Sequence, residues 1–245
     1  MIVVVAFVLS VALMVGVTVL TRRPPLQPIP DFDTYLDRWS AAHEGYDARP
    51  TRVLRGWLTL MYAAARPLAT YGVLPDVVTA WAVWVAIAVV ALAAAGGLWA
   101  VLAAFLLVAG GFGDGLDGAV AVLTDRATRW GYVLDSVADR VSDTLFLVAA
   151  WAVGAPAWLA VATGVTVLLV EYLRARAGNA GVDHVEVITV GERPSRVICC
   201  AIAVALAGAV PARATALAGW SVAVLLVLSI VALVRIGVMI ARQLR

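Results

Sequence analysis

The stretch Gly113–Asp143, G-D-G-L-D-G-A-V-A-V-L-T-D-R-A-T-R-W-G-Y-V-L-D-S-V-A-D-R-V-S-D, decides how this chain is read. Asp114, Asp117, Asp135 and Asp139 stand at the ends of apolar runs that read as membrane helices, where an ionised carboxylate is costly unless something compensates it. Asp114 and Asp117 are three residues apart and Asp135 and Asp139 four apart, so each pair shares one face of its own helix. Two facing pairs put four carboxylates in one small volume, which repels itself unless cations sit among them. Such an all-oxygen donor set is hard and suits Mg²⁺, Mn²⁺ or Ca²⁺ rather than zinc.

The rest of the chain agrees with a membrane setting. Of its 245 residues 63% are hydrophobic and 14% charged, a balance that excludes an ordinary soluble domain. Apolar windows of bilayer length fall at roughly 2–20, 77–95, 99–113, 131–152, 157–173, 196–212 and 215–234. The expected fold is an all-α polytopic membrane protein with a six-helix core and one extra N-terminal transmembrane helix. The expected divisions are an anchor at 1–21, a cytoplasmic linker and juxtamembrane amphipathic segment at 22–74, and a six-helix membrane domain at 75–245. Residues 1–20 lack a basic start and are followed by T-R-R-P-P, which favours a retained anchor over a cleaved signal peptide.

Every basic residue outside the two histidines is arginine, and the arginines crowd alternate connections. Arg22, Arg23, Arg38, Arg49, Arg52, Arg55 and Arg66 precede the core; Arg126 and Arg129 follow the first acid pair; Arg174, Arg176, Arg193 and Arg196 cluster later, whereas one intervening connection holds only Arg213. By the positive-inside rule the N-terminus lies outside and the acids open toward the cytoplasm, which places the protein in the plasma (inner) membrane. The net charge of +2 implies no nucleic-acid partner; a basic rim suits anionic headgroups and phosphorylated substrates. Cys199 and Cys200, adjacent in an apolar run, read as small hydrophobes.

Pro24, Pro25, Pro28 and Pro30 make a stiff linker. Between Asp33 and Leu74, aromatic residues interleave with arginines, the pattern of one or two amphipathic helices in the headgroup zone or of a loop packed on the core. His43, beside Glu44, reads as a surface residue. Pro75 and Asp76 open the first core helix, where a fixed φ and an acid both favour a helix start. Arg174 and Arg176 end one helix, where cations complement the dipole. Arg193 and Arg196 begin the next, where they do not, and guanidinium groups at a helix N-terminus form a seat for phosphate.

The quoted stretch resembles the signature of the CDP-alcohol phosphotransferases (CDP-alcohol phosphatidyltransferases), D-x-x-D-G-x-x-A-R-(x8)-G-x-x-x-D-x-x-x-D. Asp114, Asp117, Gly118, Ala121, Gly131, Asp135 and Asp139 fall on that pattern without a gap, and Val122 stands where the family has arginine. The segments E-Y-L-R-A-R-A and E-R-P-S-R are similar to those of the phosphatidylinositol phosphate synthase-like branch. The resemblance implies a divalent-metal-dependent enzyme of phospholipid synthesis. It would move a phosphatidyl group from CDP-diacylglycerol to a polar alcohol, inositol 1-phosphate or in related enzymes glycerol 3-phosphate, and release CMP. Two Mg²⁺ (or Mn²⁺) ions would be held by Asp114, Asp117, Asp135 and Asp139, with Asp139 also the general base. Val78, Thr79, Gly118 and Thr128 would contact the CDP-lipid, and Arg174, Arg176, Arg193 and Arg196 the acceptor's phosphate. Family members similar to this chain form homodimers.

Val122 sets a second expectation beside the first: a catalytically weakened member acting as a scaffold, unless Arg126 or Arg129 substitutes for the missing arginine. An ion-coupled transporter would also keep acids in the membrane. It would show duplicated halves or matched broken helices, and the sequence shows neither.

Overall fold

The computed structural model describes residues 2–25, 27–43, 45–182 and 189–244, with side chains from residue 7 onward. Met1 and Glu44, on which the reading of the anchor and of His43 touched, lie outside the described residues. The described chain is helical, with no strand. Its helices are α1 (Ile2–Thr21), α2 (Phe32–Ala42), α3 (Arg52–Thr70), α4 (Pro75–Ala95), α5 (Gly97–Thr124), α6 (Arg129–Ala152), α7 (Ala157–Asn179), α8 (Arg193–Ala209) and α9 (Ala214–Gln243). They form two compact units, Met1–Ala82 with Phe112–Ala138, and Val83–Gly111 with Asp139–Arg245.

In the first unit, the mixed segment before the core folds as two helices. Asp31 caps α2, accepting a hydrogen bond from the Thr34 amide at 2.9 Å. On α2, Tyr35 and Leu36 are buried, and on α3 Leu58, Met61, Ala65 and Ala69 recur at helical spacing to meet them. Burial pushes the Tyr35 phenol up to about 12. The linker before α2 is tied down: the Arg23 amide donates to the Gly72 carbonyl at 2.7 Å, and the Tyr62 hydroxyl to the Pro30 carbonyl at 3.0 Å. Gly72 permits this closeness, since its φ is +75° and a Cβ there would sit 2.4 Å from the Arg23 carbonyl oxygen. The Trp81 indole of α4 donates to Thr18 of α1 at 2.9 Å.

The second unit has a core of small residues, among them Ala86, Ala93, Ala100, Ala103, Ala149 and Ala203. Small side chains let apolar helices approach closely, which is how helices associate where water supplies no driving force. Cys199 and Cys200 are free thiols within this packing. Trp99, Trp151, Trp158 and Trp220 are exposed near the ends of α5, α6, α7 and α9, next to the connections that lack the arginine clusters. Amphipathic indoles at helix ends form the belt expected at a membrane–water boundary.

Among the described residues, four helices are long and apolar enough to cross a membrane: Pro75–Ala95, Gly97–Thr124, Ala157–Asn179 and the run Pro211–Gln243. In α1, Phe7–Thr21 is apolar but shorter. The windows at 131–152 and 196–212 differ from expectation on this criterion. They correspond to α6, whose first half carries Asp135, Asp139, Arg140 and Asp143, and to α8, which has 17 residues. Asp114 and Asp117 lie on one helix, toward the end of α5, which has 28 residues. At ~1.5 Å per residue α5 is about 42 Å long. That exceeds a hydrocarbon core of about 30 Å, so its last turns emerge from the apolar layer carrying the acids.

Candidate active site

The acids converge. Asp114 of α5 and Asp135 of α6 belong to the first unit, and each offers a carboxylate oxygen within 4.8 Å of the other; Asp139 stands one turn along the same helix as Asp135. Oxygens sharing a hard divalent ion sit up to roughly 4–5 Å apart, twice a bond of ~2.0–2.6 Å, so the spacing and the donor chemistry both fit such an ion. Asp117 is used differently. Its Oδ2 accepts from the buried Thr79 hydroxyl at 2.5 Å and its Oδ1 from the Gly118 amide at 2.7 Å.

A cavity of about 610 Å³ opens in the first unit. Asp76, Thr79, Asp117, Gly118, Thr128 and Asp135 line one part of it. Of the residues the sequence assigns to the CDP-lipid, Thr79, Gly118 and Thr128 therefore face this space. Val78 does not: it is buried with Val77, Val120 and Leu123 in the apolar core. The Thr128 hydroxyl also accepts from the Gly131 amide at 2.9 Å, capping the start of α6.

Val122 lines the same cavity and packs against the apolar core formed by α2 and α3. Arg126 lines it too, but its guanidinium donates to the carbonyls of Arg23 at 3.2 Å and Pro24 at 2.7 Å. The remaining wall comes from α2 and α3, with Tyr35, Trp39, His43 and Trp57 beside Leu54, Leu58 and Met61. Sequence reading missed this wall because its approach to α4–α6 depends on tertiary packing that no local spacing encodes.

In the second unit three of the four predicted phosphate arginines meet carboxylates. Arg193 pairs with Asp139, and Arg174 with Glu192. Arg196 is almost fully buried and bonds Asp143 at 2.8 Å, Glu171 at 2.6 Å and the Gly191 carbonyl at 3.1 Å. Arg140 joins Glu171 at 3.0 Å and lies 3.5 Å from Asp139. Arg176 is exposed in the last turn of α7. Asp143 pairs with both Arg196 and Arg140. Burial works against the charge of Glu192, yet Arg174 and the Thr189 amide and hydroxyl hold its carboxyl below the usual glutamate range.

Comparison with known proteins follows the same residues. The chain is similar to archaetidylinositol phosphate synthase of Methanothermobacter thermautotrophicus, with 39% identity over 137 residues, 54% of this chain and 67% of that protein. It is similar to the enzyme of the same name from Pyrococcus horikoshii, with 36% identity over 104 residues, 42% of this chain and 55% of that protein. A phosphatidylinositol phosphate synthase of Cutibacterium acnes is 29% identical over 177 residues, 69% of this chain and 83% of that protein. The family model for CDP-alcohol phosphatidyltransferase matches residues 72–240, taking in both acid pairs, the polar part of the cavity and the arginine–carboxylate network. By that match, on a chain whose signature aspartates gather from α5 and α6, this protein belongs to the CDP-alcohol phosphatidyltransferase family.

Proposed function

We propose that the protein transfers a phosphatidyl group from CDP-diacylglycerol to the hydroxyl of inositol 1-phosphate, releasing CMP. The observation that carries this reading is the Asp139–Arg193 pair, which puts a signature carboxylate in contact with a guanidinium suited to an acceptor's phosphate. An acceptor whose phosphate engages Arg193 would bring its hydroxyl into the neighbourhood of Asp139, the general base of this reading. The three relatives named for inositol phosphate lipids favour that acceptor over glycerol 3-phosphate.

Asp114, Asp135 and Asp139 would hold divalent ions, two Mg²⁺ in this reading, with Asp117 fixing α4 to α5 beside them. Such ions supply charge stabilisation for the diphosphate and the leaving nucleotide. Thr79, Gly118 and Thr128 orient the nucleotide in the cavity, and Arg193, Arg174 and Arg176 draw the acceptor's phosphate. Arg196, spent on Asp143 and Glu171, positions its neighbours rather than touching substrate. The arginine-rich connections favour a site facing the cytoplasm, in the plasma (inner) membrane.

The test is CMP release by purified protein supplied with CDP-diacylglycerol, Mg²⁺ and a panel of acceptors. Release with inositol 1-phosphate and little with glycerol 3-phosphate is expected. Release with glycerol 3-phosphate alone would replace the acceptor, and none with any acceptor would leave a scaffold.

A further inference from the structure

In the second unit, the turn at 189–192 that leads into α8 is held from three sides. Glu192, the residue before α8, accepts from the Thr189 amide and hydroxyl, both at 3.0 Å, and from Arg174 Nη1 of α7 at 3.2 Å. From α8, Arg196 Nε donates to the Gly191 carbonyl at 3.1 Å. The third side is α9, and Gly191 is the residue that meets it. A Cβ on Gly191 would stand 2.7 Å from the Ala232 Cβ and 3.2 Å from the Leu228 carbonyl oxygen. Carbon atoms in contact settle about 3.5–4.0 Å apart, so a side chain here clashes. The φ of Gly191 lies outside the left-handed region, and the close approach alone calls for glycine.

The surface beneath the turn is firm. Ala232 and Ile236 are fully buried on α9, in one apolar cluster with Val170 and Ala177 of α7, and a close-packed interior yields little to an added methyl. The turn is the part that would move. Arg193 follows Gly191 by two residues, opens α8 ahead of Pro194, and pairs with Asp139. Lifting the turn off α9 carries the start of α8 with it and draws the Arg193 guanidinium away from Asp139. A guanidinium binds phosphate through a planar fork, so its direction matters as much as its charge.

We propose that Gly191 is a positioning residue for the acceptor: by seating the turn directly on Ala232 of α9, it sets where Arg193 meets the acceptor's phosphate beside Asp139. The proposal rests on the reading that Arg193 takes that phosphate. It gives α9 a part in the reaction exerted through the turn, from a residue whose side chain is a single methyl group.

Steady-state kinetics reads donor and acceptor separately. Gly191→Ala is expected to raise KM for inositol 1-phosphate about tenfold, a part of the hundredfold that a misplacement of about 1 Å can cost, with KM for CDP-diacylglycerol unchanged. Adding Ala232→Gly to that variant removes the nearest obstacle and is expected to bring the acceptor's KM most of the way back, a rescue that a general loss of stability would not give. Thermal unfolding in detergent reads protection by inositol 1-phosphate without turnover, and the concentration needed is expected to rise and return in the same order. An unchanged acceptor KM in Gly191→Ala, an equal rise in the donor's KM, or no rescue by Ala232→Gly overturns the proposal. If Gly191→Ala does not fold, Ala232→Val presses on the same seat from α9, and an unchanged acceptor KM there overturns it. Wild type that transfers to no acceptor but is protected by inositol 1-phosphate, with the same loss and rescue, defeats the transfer reading and leaves the seat standing. Wild type that shows neither transfer nor protection overturns both.

Discussion

The Thr79 hydroxyl donates to the Asp117 carboxylate at 2.5 Å, joining α4 to α5 across 38 residues of sequence, with both side chains buried. One family-signature acid is thus committed to a hydrogen bond inside the protein. Thr79→Val, close in shape but without the donor, strands that carboxylate oxygen. The expected loss of stability is about 1–3 kcal/mol, with a higher donor KM, checked by thermal unfolding in detergent and by steady-state kinetics.

Arg196 anchors the second unit's charge network through Asp143 and Glu171. Arg196→Met removes the buried partner of Asp143 and Glu171 and leaves Arg140 as their remaining counter-charge. A loss of about 3–5 kcal/mol is expected in denaturant unfolding. Arg196→Lys, a point charge without the guanidinium fork, recovers only part of it.

The line between what was legible and what was not follows the range of the interactions. The start of α4 at Pro75 and Asp76 and the convergence of Asp114 with Asp135 could be read from a fixed φ, a first-turn acid and fixed spacing, all of which act within a few turns of chain. The wall made by Trp39 and Trp57 could not, because a mixed aromatic–arginine segment fits a membrane surface as well as a packed helix. Nor could the partners of Arg174, Arg193 and Arg196. Their number obeyed topology, while their ion pairs depend on α6, α7 and α8 meeting in space. Asp117 looked equivalent to Asp114 in the linear pattern; only the position of Thr79 separates them.

Glu192 gives a pH dependence with a definite sign. Its folded carboxyl titrates below the ordinary value of 4.5, so the Arg174–Glu192 pair stabilises the protein above that value, and the contribution is lost as pH falls through the lower folded value. Being half-exposed, the pair is screened and its contribution modest. Thermal midpoints measured from pH 6 down to 3 should fall more steeply for wild type than for Glu192→Gln; parallel curves would contradict the assignment.

Removing a member of the acid group should abolish transfer without unfolding the protein. Asp114→Asn and Asp135→Asn are expected to lower kcat by about a hundredfold or more, the scale of losing one electrostatic stabiliser of a transition state. Circular dichroism should show their helical content unchanged.

The central claim is that aspartates from α5 and α6 come together to hold a divalent cation, and titration of purified protein with Mn²⁺, followed by electron paramagnetic resonance, tests it most directly. Wild type is expected to bind Mn²⁺ in competition with Mg²⁺, and the folded double variant Asp114→Asn, Asp135→Asn to bind none at that site. Equal Mn²⁺ binding by wild type and the double variant would contradict the account.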